Sequence, residues 1–579
     1  MKLIQANMIV SVSNYSSRII FFKVLKILSI FISIVISISL SNAQEWESSF
    51  VAGGLDLNGL FMGGSEVLHL VSHKDKLFAS VGYWQDENNI LYGGDDLNEG
   101  WSQILYLDSE DNDWMVDFEM GYNYLRPEIL KQIIFTKDYN GILLDNPDTL
   151  LIAGAFSANY IMGIVSANIF VRDDEDETWY EALVHEGSFS TDESYSMRDI
   201  ELHIDQVTGF ENLLISIGTV GIFSGKYNPE LDCKIEISSM PEFGPLGVRP
   251  LGITIANNNL YFSSGNKIYK REDGFNPSYN IVHDFNDLSS YINPAVGGIR
   301  GLSTIPNPSG SNQSMILMWC PDGQSKGTIF RLDPINSQEF DRVYETKISL
   351  LVENYLPGIS VEYLLGAYNE FYLFTNPITN TDYHIIGIES SLYGNIYPLW
   401  NSFYSGGIIV LRNNDGQYTL QEINGSVDFA DTPLVSVRCY VESPFESERA
   451  IYFGGFDPNG YISTNNAWVY KQTWNTLDAE KQKSEPMINY KMYNPYPNPF
   501  NSSTNIKYKV LKRNMVNINI YNLKGIFIKS LVSEHKDVGD YTISWNGKND
   551  KGMDVTAGIY LYTIESKGTE VTKKLIFLK

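Results

Sequence analysis

Between Val248 and Phe285 apolar and polar positions alternate over four short runs, Leu251 to Ala256, Leu260 to Ser263, Ile268 to Lys270 and Tyr279 to His283. Turn residues divide them: Asn257-Asn258-Asn259, then Gly265, then the polar stretch Glu272 to Pro277. A period of two broken by Asn, Gly and Pro predicts four antiparallel strands, a to d, rather than a helix. A single sheet this small cannot cover both of its faces. Copies must stack, and radial stacking makes a β-propeller.

The outline recurs as seven units. Strand a is predicted at Val67 to His73, Lys131 to Thr136, Ile200 to Asp205, Leu251 to Ala256, Leu302 to Ile305, Tyr363 to Tyr368 and Cys439 to Glu442. Strand b begins at Leu77, Leu150, Leu213, Leu260, Met315, Tyr383 and Ala450, and most of these runs end in a Gly that a turn would use. Hairpins from c to d start at Ile104, Ile169, Ile268, Ile329 and Ile409, each running into Asp/Asn-rich turn chemistry and then an aromatic. The seventh unit lacks a strand d after Ala467 to Lys471, while Glu45-Trp46 with Phe50 repeats Asp113-Trp114 with Phe118. Trp46 to Val51 is therefore predicted to pair with the last strand c and close the ring, which removes two open sheet edges. The predicted fold class is all-β: a seven-bladed β-propeller, with six or eight blades as alternatives, followed by a small β-sandwich.

Residues 1–43 read as a secretory signal peptide. Arg18, Lys23 and Lys26 precede the apolar run Ile27 to Leu40, and Ser41-Asn42-Ala43 offers small residues for cleavage before Gln44. That run is shorter than a bilayer span, so no transmembrane segment is expected in the mature chain. Residues 44–475 then form the propeller, residues 476–493, with the polar run Asp478 to Pro486, a linker, and residues 494–579 a separate domain.

In that last stretch Asn505 to Val510, Val516 to Tyr521, Ile526 to Leu531, Tyr541 to Trp545, Ile559 to Ile564 and Val571 to Leu578 alternate as strands do. It opens on Tyr496-Pro497-Asn498-Pro499-Phe500-Asn501 and continues through Trp545-Asn546-Gly547, Gly558-Ile559-Tyr560 and Lys573-Lys574. In that order these motifs resemble the C-terminal sorting domain of type IX secretion cargo. The resemblance implies an Ig-like sandwich that the outer-membrane secretion machinery reads and usually has removed, the cargo being released or joined to surface lipopolysaccharide. It makes that machinery the expected partner, and the expected location secreted, extracellular or attached to the outer-membrane surface.

Charge is unevenly spread. The formal net charge is −27, yet residues 490–579 hold 14 basic and 7 acidic residues and residues 1–43 hold 4 basic and no acidic ones, leaving −38 on residues 44–489. Such a body repels polyanions at long range, so nucleic acid is not an expected partner. Three cysteines, Cys233, Cys320 and Cys439, make neither a disulfide framework nor a CxxC zinc site, and Cys320 and Cys439 lie in apolar runs that predict burial. The acidic run Asp173 to Glu177 reads as a solvated hairpin tip. It lacks the Gly and ligand spacing of an EF-hand, so no cofactor is expected, calcium being the one alternative.

One charged position recurs at the start of strand a: Glu66, Arg126, Arg198, Arg249, Arg300, Glu362 and Arg438. Residues 44–489 contain eleven arginines, and five stand here, which in a propeller would ring one mouth of the channel. Five guanidinium groups about 10 Å apart in water repel by roughly 0.4 kcal/mol per pair, so something must offset them. Two offsets are open: pairing with Glu66, Glu362 and neighbouring carboxylates as a structural belt, or an anionic ligand such as a uronate or sulfated glycan, whose geometry suits Arg. Histidines His69, His73 and His203 fall on strands a, the first two about 13 Å apart and too far to share a metal. The expectation is a secreted or cell-surface binding protein that takes an anionic glycan at the channel mouth. The alternatives are a polysaccharide lyase or glycoside hydrolase using Glu66 or Glu362 with a His, and a protein-interaction scaffold.

Overall fold

The computed structural model describes residues 44–83, 102–121, 123–159, 162–188, 194–293, 297–310, 312–322, 327–356, 360–366, 370–376, 379–393, 399–400, 403–404, 407–423, 434–445, 449–456, 466–474, 490–492, 495–510, 513–522, 527–537, 539–566 and 569–578. The expected signal peptide and most of the expected linker lie outside them. The chain divides into two compact units, residues 1–475 and 476–579.

The first unit is all-β and propeller-like, a succession of small antiparallel sheets. Sheet 1 runs Glu66–His73, Lys76–Gly82, Gln103–Leu107 and Met115–Glu119 as strands a to d. Sheet 2 runs Ile129–Lys137, Leu143–Asn159, Ile164–Asp173 and Thr178–Ser188. Sheet 3 runs Met197–Ile204, Glu211–Ile217, Gly221–Tyr227 and Ile235–Ile237. Sheet 4 runs Pro250–Ala256, Asn259–Ser264, Lys267–Glu272 and Ser278–Asp284. Sheet 5 runs Gly298–Pro306, Gln313–Cys320, Thr328–Pro334 and Phe340–Lys347.

Sheet 6 departs from the predicted plan. Its strand b is Thr381–Tyr393, and strand a meets it in two pieces, Ser360–Gly366 and Tyr372–Asn376, before strands c and d at Ile408–Asn413 and Tyr418–Glu422. The prediction of Tyr363 to Tyr368 caught only the first piece. A short helix, Ile348–Tyr355, precedes it and buries Ile348 and Val352 among residues of sheets 5 and 6. With only two turns it shows too little period to be told from a strand in the sequence.

Sheet 7 is Ser436–Glu442, Ala450–Phe456 and Trp468–Trp474, joined edge to edge with sheet 1 where Phe456 pairs with Glu66, and its fourth strand comes from the start of the described chain. Gln44–Val51 pairs antiparallel with Trp468–Trp474, Trp46 opposite Gln472. Apolar clusters join consecutive sheets in turn: Phe78 and Phe170 join 1 to 2, Ile133 and Ile215 join 2 to 3, Leu214 and Phe262 join 3 to 4. Tyr261 and Leu317 join 4 to 5, Ile316 and Ile386 join 5 to 6, Ile385 and Phe453 join 6 to 7, and Val67 and Tyr452 join 7 back to 1.

Gly218 and Gly265, at φ 38° and 59°, make the turn expected after strand b, whereas Gly82 and Gly454 make room for a neighbouring sheet. A Cβ on Gly82 would sit 2.2 Å from the Arg126 Cβ, just before strand a of sheet 2, and one on Gly454 2.8 Å from Val67 Cγ1 of sheet 1. Small residues there let neighbouring sheets approach.

Ion clasps reinforce alternate interfaces. Arg172 at the end of strand c in sheet 2 meets Asp117 on strand d of sheet 1 with both Nε and Nη2, at 2.9 and 3.0 Å, and Trp179 donates to the same carboxylate at 2.7 Å. Arg271 of sheet 4 and Tyr279 share Glu242, which follows sheet 3, and Arg271 also reaches Asp205 at 2.9 Å. Arg412 of sheet 6 and Tyr418 share Glu345 on sheet 5. The tip carboxylate Asp174 is drawn into the first clasp by His73 and Arg172, so the acidic run is not solvated throughout as expected. Burial would raise the Asp174 carboxyl, but hydrogen bonds from His73, Lys74 and Arg172 hold it well below the ordinary range. Asp205 is held low in the same way, by Arg271 and the backbone N–H groups of Val207, Thr208 and Gly274.

In the second unit Tyr490–Met492, Thr504–Val510 and Gly539–Trp545 form one sheet, and Phe527–Lys536, Asn514–Asn522, Gly558–Ser566 and Thr569–Phe577 the other. Residues of both share one core, in which Ile506 and Trp545 meet Ile520, Tyr562 and Leu575.

Phe50 is buried against Trp114, ring centroids 6.2 Å apart. Phe50→Ala is expected to cost about 3–5 kcal/mol in urea unfolding, and an unchanged midpoint would contradict a closing role for the first strand. Arg271→Ala is expected to lose about 3–5 kcal/mol by removing the cation that buried Asp205 and half-buried Glu242 share. Asp174 and Asp205 have depressed folded values, so their stabilisation is present above the unfolded value of about 3.9 and is lost as pH falls below it. The unfolding midpoint should therefore drop steeply below about pH 4, and less steeply in Arg271→Ala.

Candidate functional site

A cavity of about 470 Å³ opens among the inner strands. Its walls are His69, Leu70, Val71 and Ser72 of sheet 1, Ile129 to Gln132 of sheet 2, Arg198 and Asp199 of sheet 3 and Leu251 of sheet 4. Glu370 and Tyr372 of sheet 6 and Val441 to Pro444 from the end of strand a in sheet 7 complete it. The strands a of neighbouring sheets run side by side around this space, which is why one cavity collects residues from far apart in the chain.

Lys131 anchors its charge. The ammonium donates to the Ile200 carbonyl and to Glu201, both at 2.8 Å, and lies 3.3 Å from Asp199. Burial would push it down, but Asp199, Glu201 and Glu370 hold it well above its ordinary value, so it stays a cation. Asp199 in turn accepts the Ile253 N–H at 3.1 Å, tying sheet 3 to sheet 4.

Two other groups are shifted toward their uncharged forms. The Glu370 carboxyl, exposed at the cavity's edge, is shifted up by partial desolvation and by Asp199 and Glu201, against the pull of Lys131. Desolvation lowers His69 to about 4, opposed by its hydrogen bond to the Glu128 carbonyl and reinforced by Lys131, Arg198 and Arg126. That bond, 2.9 Å from Nε2, requires the proton on Nε2 and leaves the lone pair on Nδ1.

The seven charged positions singled out in the sequence all fall in or just before strand a. Arg126 is buried and meets Glu66, itself fully buried, and lies 3.3 Å from Glu128. Arg438 is buried 3.2 Å from Glu389 and over the Phe456 ring at 4.7 Å. Arg198 is the one of the seven that lines the cavity. Arg300 is buried within strand a of sheet 5, Arg249 is half-buried just before strand a of sheet 4, and Glu362 is exposed, with Ser391 Oγ 3.4 Å away. Thus Glu66 and Arg126 are brought together.

His73 and His203 turn away to neighbouring hairpins, His73 to Gln132 and Asp174 at 2.9 Å each, His203 to Asp273 at 2.7 Å. Lys131, Asp199 and Glu370 were missed. Lys131 and Glu370 are ordinary charges at or beside alternating runs, and the one available signal was an ionisable residue at an inward position of strand a.

In the second unit Phe500 packs at 4.9 Å from Phe577 and 5.6 Å from Trp545, which meets Tyr560 at 5.1 Å. The Asn498 side chain brackets the last strand, accepting the Ile576 N–H at 2.7 Å and donating to the Lys574 carbonyl at 3.1 Å. Gly547, at φ 66°, faces the Phe577 ring, which a Cβ would meet at 2.6 Å. Tyr496, Pro497, Pro499, Asn501, Gly558 and Lys574 are exposed, and Lys573 is half-buried. Residues 494–578 match the secretion system C-terminal sorting domain. The sorting domain accounts for the motifs in order: its buried members hold the two sheets together and its exposed members stand on the surface. The protein is exported, to the cell surface or beyond it. No helix among the described residues is long and apolar enough to cross a membrane.

No curated protein matches the chain. Among solved structures it is similar to a fungal alcohol oxidase of the AA5 family in complex with copper, at 9% identity over 93% of this chain and 100% of that one, TM-score 0.38. The GH93 α-L-arabinofuranosidase of Fusarium graminearum with arabinobiose is similar at 10% identity over 73% and 96%, TM-score 0.34. The α-L-arabinanase of Penicillium chrysogenum with arabinobiose is similar at 9% identity over 61% and 98%, TM-score 0.30.

A reporter with its own signal peptide, fused to residues 490–579, is expected to reach the cell surface or medium of a host with the type IX machinery. Phe500→Ala should lose about 3–5 kcal/mol in the sorting domain and leave the reporter in the periplasm, read by fractionation.

Proposed function

We propose that the exported unit is a seven-bladed β-propeller that binds a carbohydrate in its channel cavity, delivered by an Ig-like sorting domain. The observation that carries this reading is the cavity itself. At about 470 Å³ it falls within the range of small-molecule sites, roughly 300–1,000 Å³. Carboxyl, amide, hydroxyl and phenol groups from Glu370, Gln132, Ser72 and Tyr372 stand around apolar walls, the mixture that a polyhydroxylated ring with an apolar face requires.

Charge narrows the class. Lys131 is matched by Asp199 and Glu201, and Arg126 and Arg438 already have carboxylate partners. A uronate or sulfated glycan would have to compete with those carboxylates, whereas a neutral glycan need only donate and accept hydrogen bonds. The neutral glycan is therefore the favoured ligand, and the anionic glycan at the arginine-bearing mouth is the second arm of the test.

On an array carrying neutral and acidic glycans, the protein is expected to retain neutral oligosaccharides. Ser72→Trp, which fills the cavity from its wall, should abolish retention without lowering the unfolding midpoint. Retention confined to acidic glycans and unaffected by Ser72→Trp would move the site to the mouth.

A further inference from the structure

We propose that the cavity reads its sugar through one fixed acceptor, His69 Nδ1, and one fixed donor, the Tyr372 hydroxyl, so that the ligand must bring an unsubstituted hydroxyl to the first and an ether or hydroxyl oxygen to the second. This rests on the carbohydrate reading and specifies the chemistry of that same site.

The backbone of Glu128 sets the acceptor. His69 lines the cavity and gives its Nε2–H to the Glu128 carbonyl at 2.9 Å, which leaves Nδ1 with a lone pair and no proton. Nδ1 has no partner among the described residues, and in contrast to His384 Nδ1 it is not sealed from solvent. Desolvation, with the cations Lys131, Arg198 and Arg126, lowers the ring to about 4, so at neutral pH Nδ1 only accepts.

The backbone of Glu442 sets the donor. Its N–H donates to the Tyr372 oxygen at 3.0 Å, and the phenol proton, which none of the described residues accepts, is left for a ligand. Desolvation pushes that phenol up to about 12, so the proton is kept. The Glu442 carbonyl takes the Ser72 hydroxyl at 3.0 Å, so one residue of sheet 7 ties sheet 1, which carries His69, to Tyr372 of sheet 6. Both reading groups are held in place before a ligand arrives, which lowers the cost of ordering them on binding.

The cation beside them is already engaged. Lys131 directs its three protons to the Ile200 carbonyl, Glu201 and Asp199, at 2.8, 2.8 and 3.3 Å, and Asp199 also accepts the Ile253 N–H. A sugar hydroxyl taking any of these would displace a protein partner, whereas His69 Nδ1 and the Tyr372 proton have none to lose. Covering either with a sugar that cannot answer it leaves a desolvated polar group unpaired, and a site built for a hydroxyl rejects the analogue without it for that reason.

The test titrates the full mature chain by calorimetry with neutral disaccharides of glucose, galactose, mannose, xylose and arabinose. The tightest is then taken through a series in which each hydroxyl in turn is replaced by hydrogen or by fluorine, which cannot donate. One hydroxyl is expected at which both replacements weaken binding about 10–100-fold, the one given to His69. His69→Phe should weaken the parent disaccharide by a similar factor and make replacement of that hydroxyl cost nothing further, and Tyr372→Phe should weaken the parent while leaving that cost in place. If His69→Phe does not fold, the wild-type series decides alone. Binding that no single replacement weakens tenfold, or a loss that persists unchanged in His69→Phe, overturns this inference and leaves the binding reading standing. Failure to bind any of the disaccharides or any neutral glycan on the array removes the carbohydrate reading and this inference with it.

Discussion

Everything in the larger unit depends on one antiparallel pairing, that of Gln44–Val51 with Trp468–Trp474. A row of sheets stacked through apolar faces has two exposed ends, and each end carries an unpaired edge and an uncovered face. Supplying the outer strand of the last sheet from the start of the chain ties the two ends together, and Phe50 and Trp114 then share a cluster with Val67, Cys439 and Tyr452. The cavity is a consequence of that closure. His69 and Glu442 lie hundreds of residues apart, and sheets 7 and 1 must lie side by side before they can face the same space.

Buried charge gives the stack its register. Between sheets 1 and 2, 3 and 4, and 5 and 6, an arginine at the end of strand c crosses to a carboxylate of the preceding sheet, and an aromatic on the following strand donates to the same group. Such clasps add little net stability over an apolar contact of the same shape, but they tolerate no slippage, because a shifted sheet would bury several charges unmatched. The other interfaces use different devices, among them paired threonines at Thr254 and Thr304 and the Lys131 cluster. The heavy negative charge of this part of the chain is thus partly internal, spent on holding sheets in place.

The same economy separates the two places where cations gather. Arg126 and Arg438 stand at the beginnings of strands a and are matched by Glu66 and Glu389. Farther along the same strands the cavity exposes a different set, in which Lys131 is matched, His69 is kept neutral by desolvation and the Glu370 carboxyl is shifted up. Ion pairing holds the strands together at one level, and desolvation shifts the titrating groups at the next.

Local pattern alone carried much of this. The period of two with Gly and Asn punctuation revealed the strands of sheet 4 nearly to the residue, and the likeness of Trp46 to Trp114 revealed which segment completes the last sheet. The sorting domain was legible because its motifs are short, contiguous and ordered. What the sequence could not show was anything that depends on which inward positions meet across sheets. The recurring arginines of strand a drew attention because they recur, yet Arg172, Arg271 and Arg412, in hairpins equally plain to see, also cross between sheets. Gly82 and Gly454 looked like turn residues until the neighbouring sheet was seen to press against them. The split strand of sheet 6 and the helix before it break the repeat where no periodic signal could announce them. Periodicity is a property of neighbours along the chain and is written in it, whereas a cavity shared by His69, Lys131 and Glu370 exists only after stacking brings distant strands to one axis.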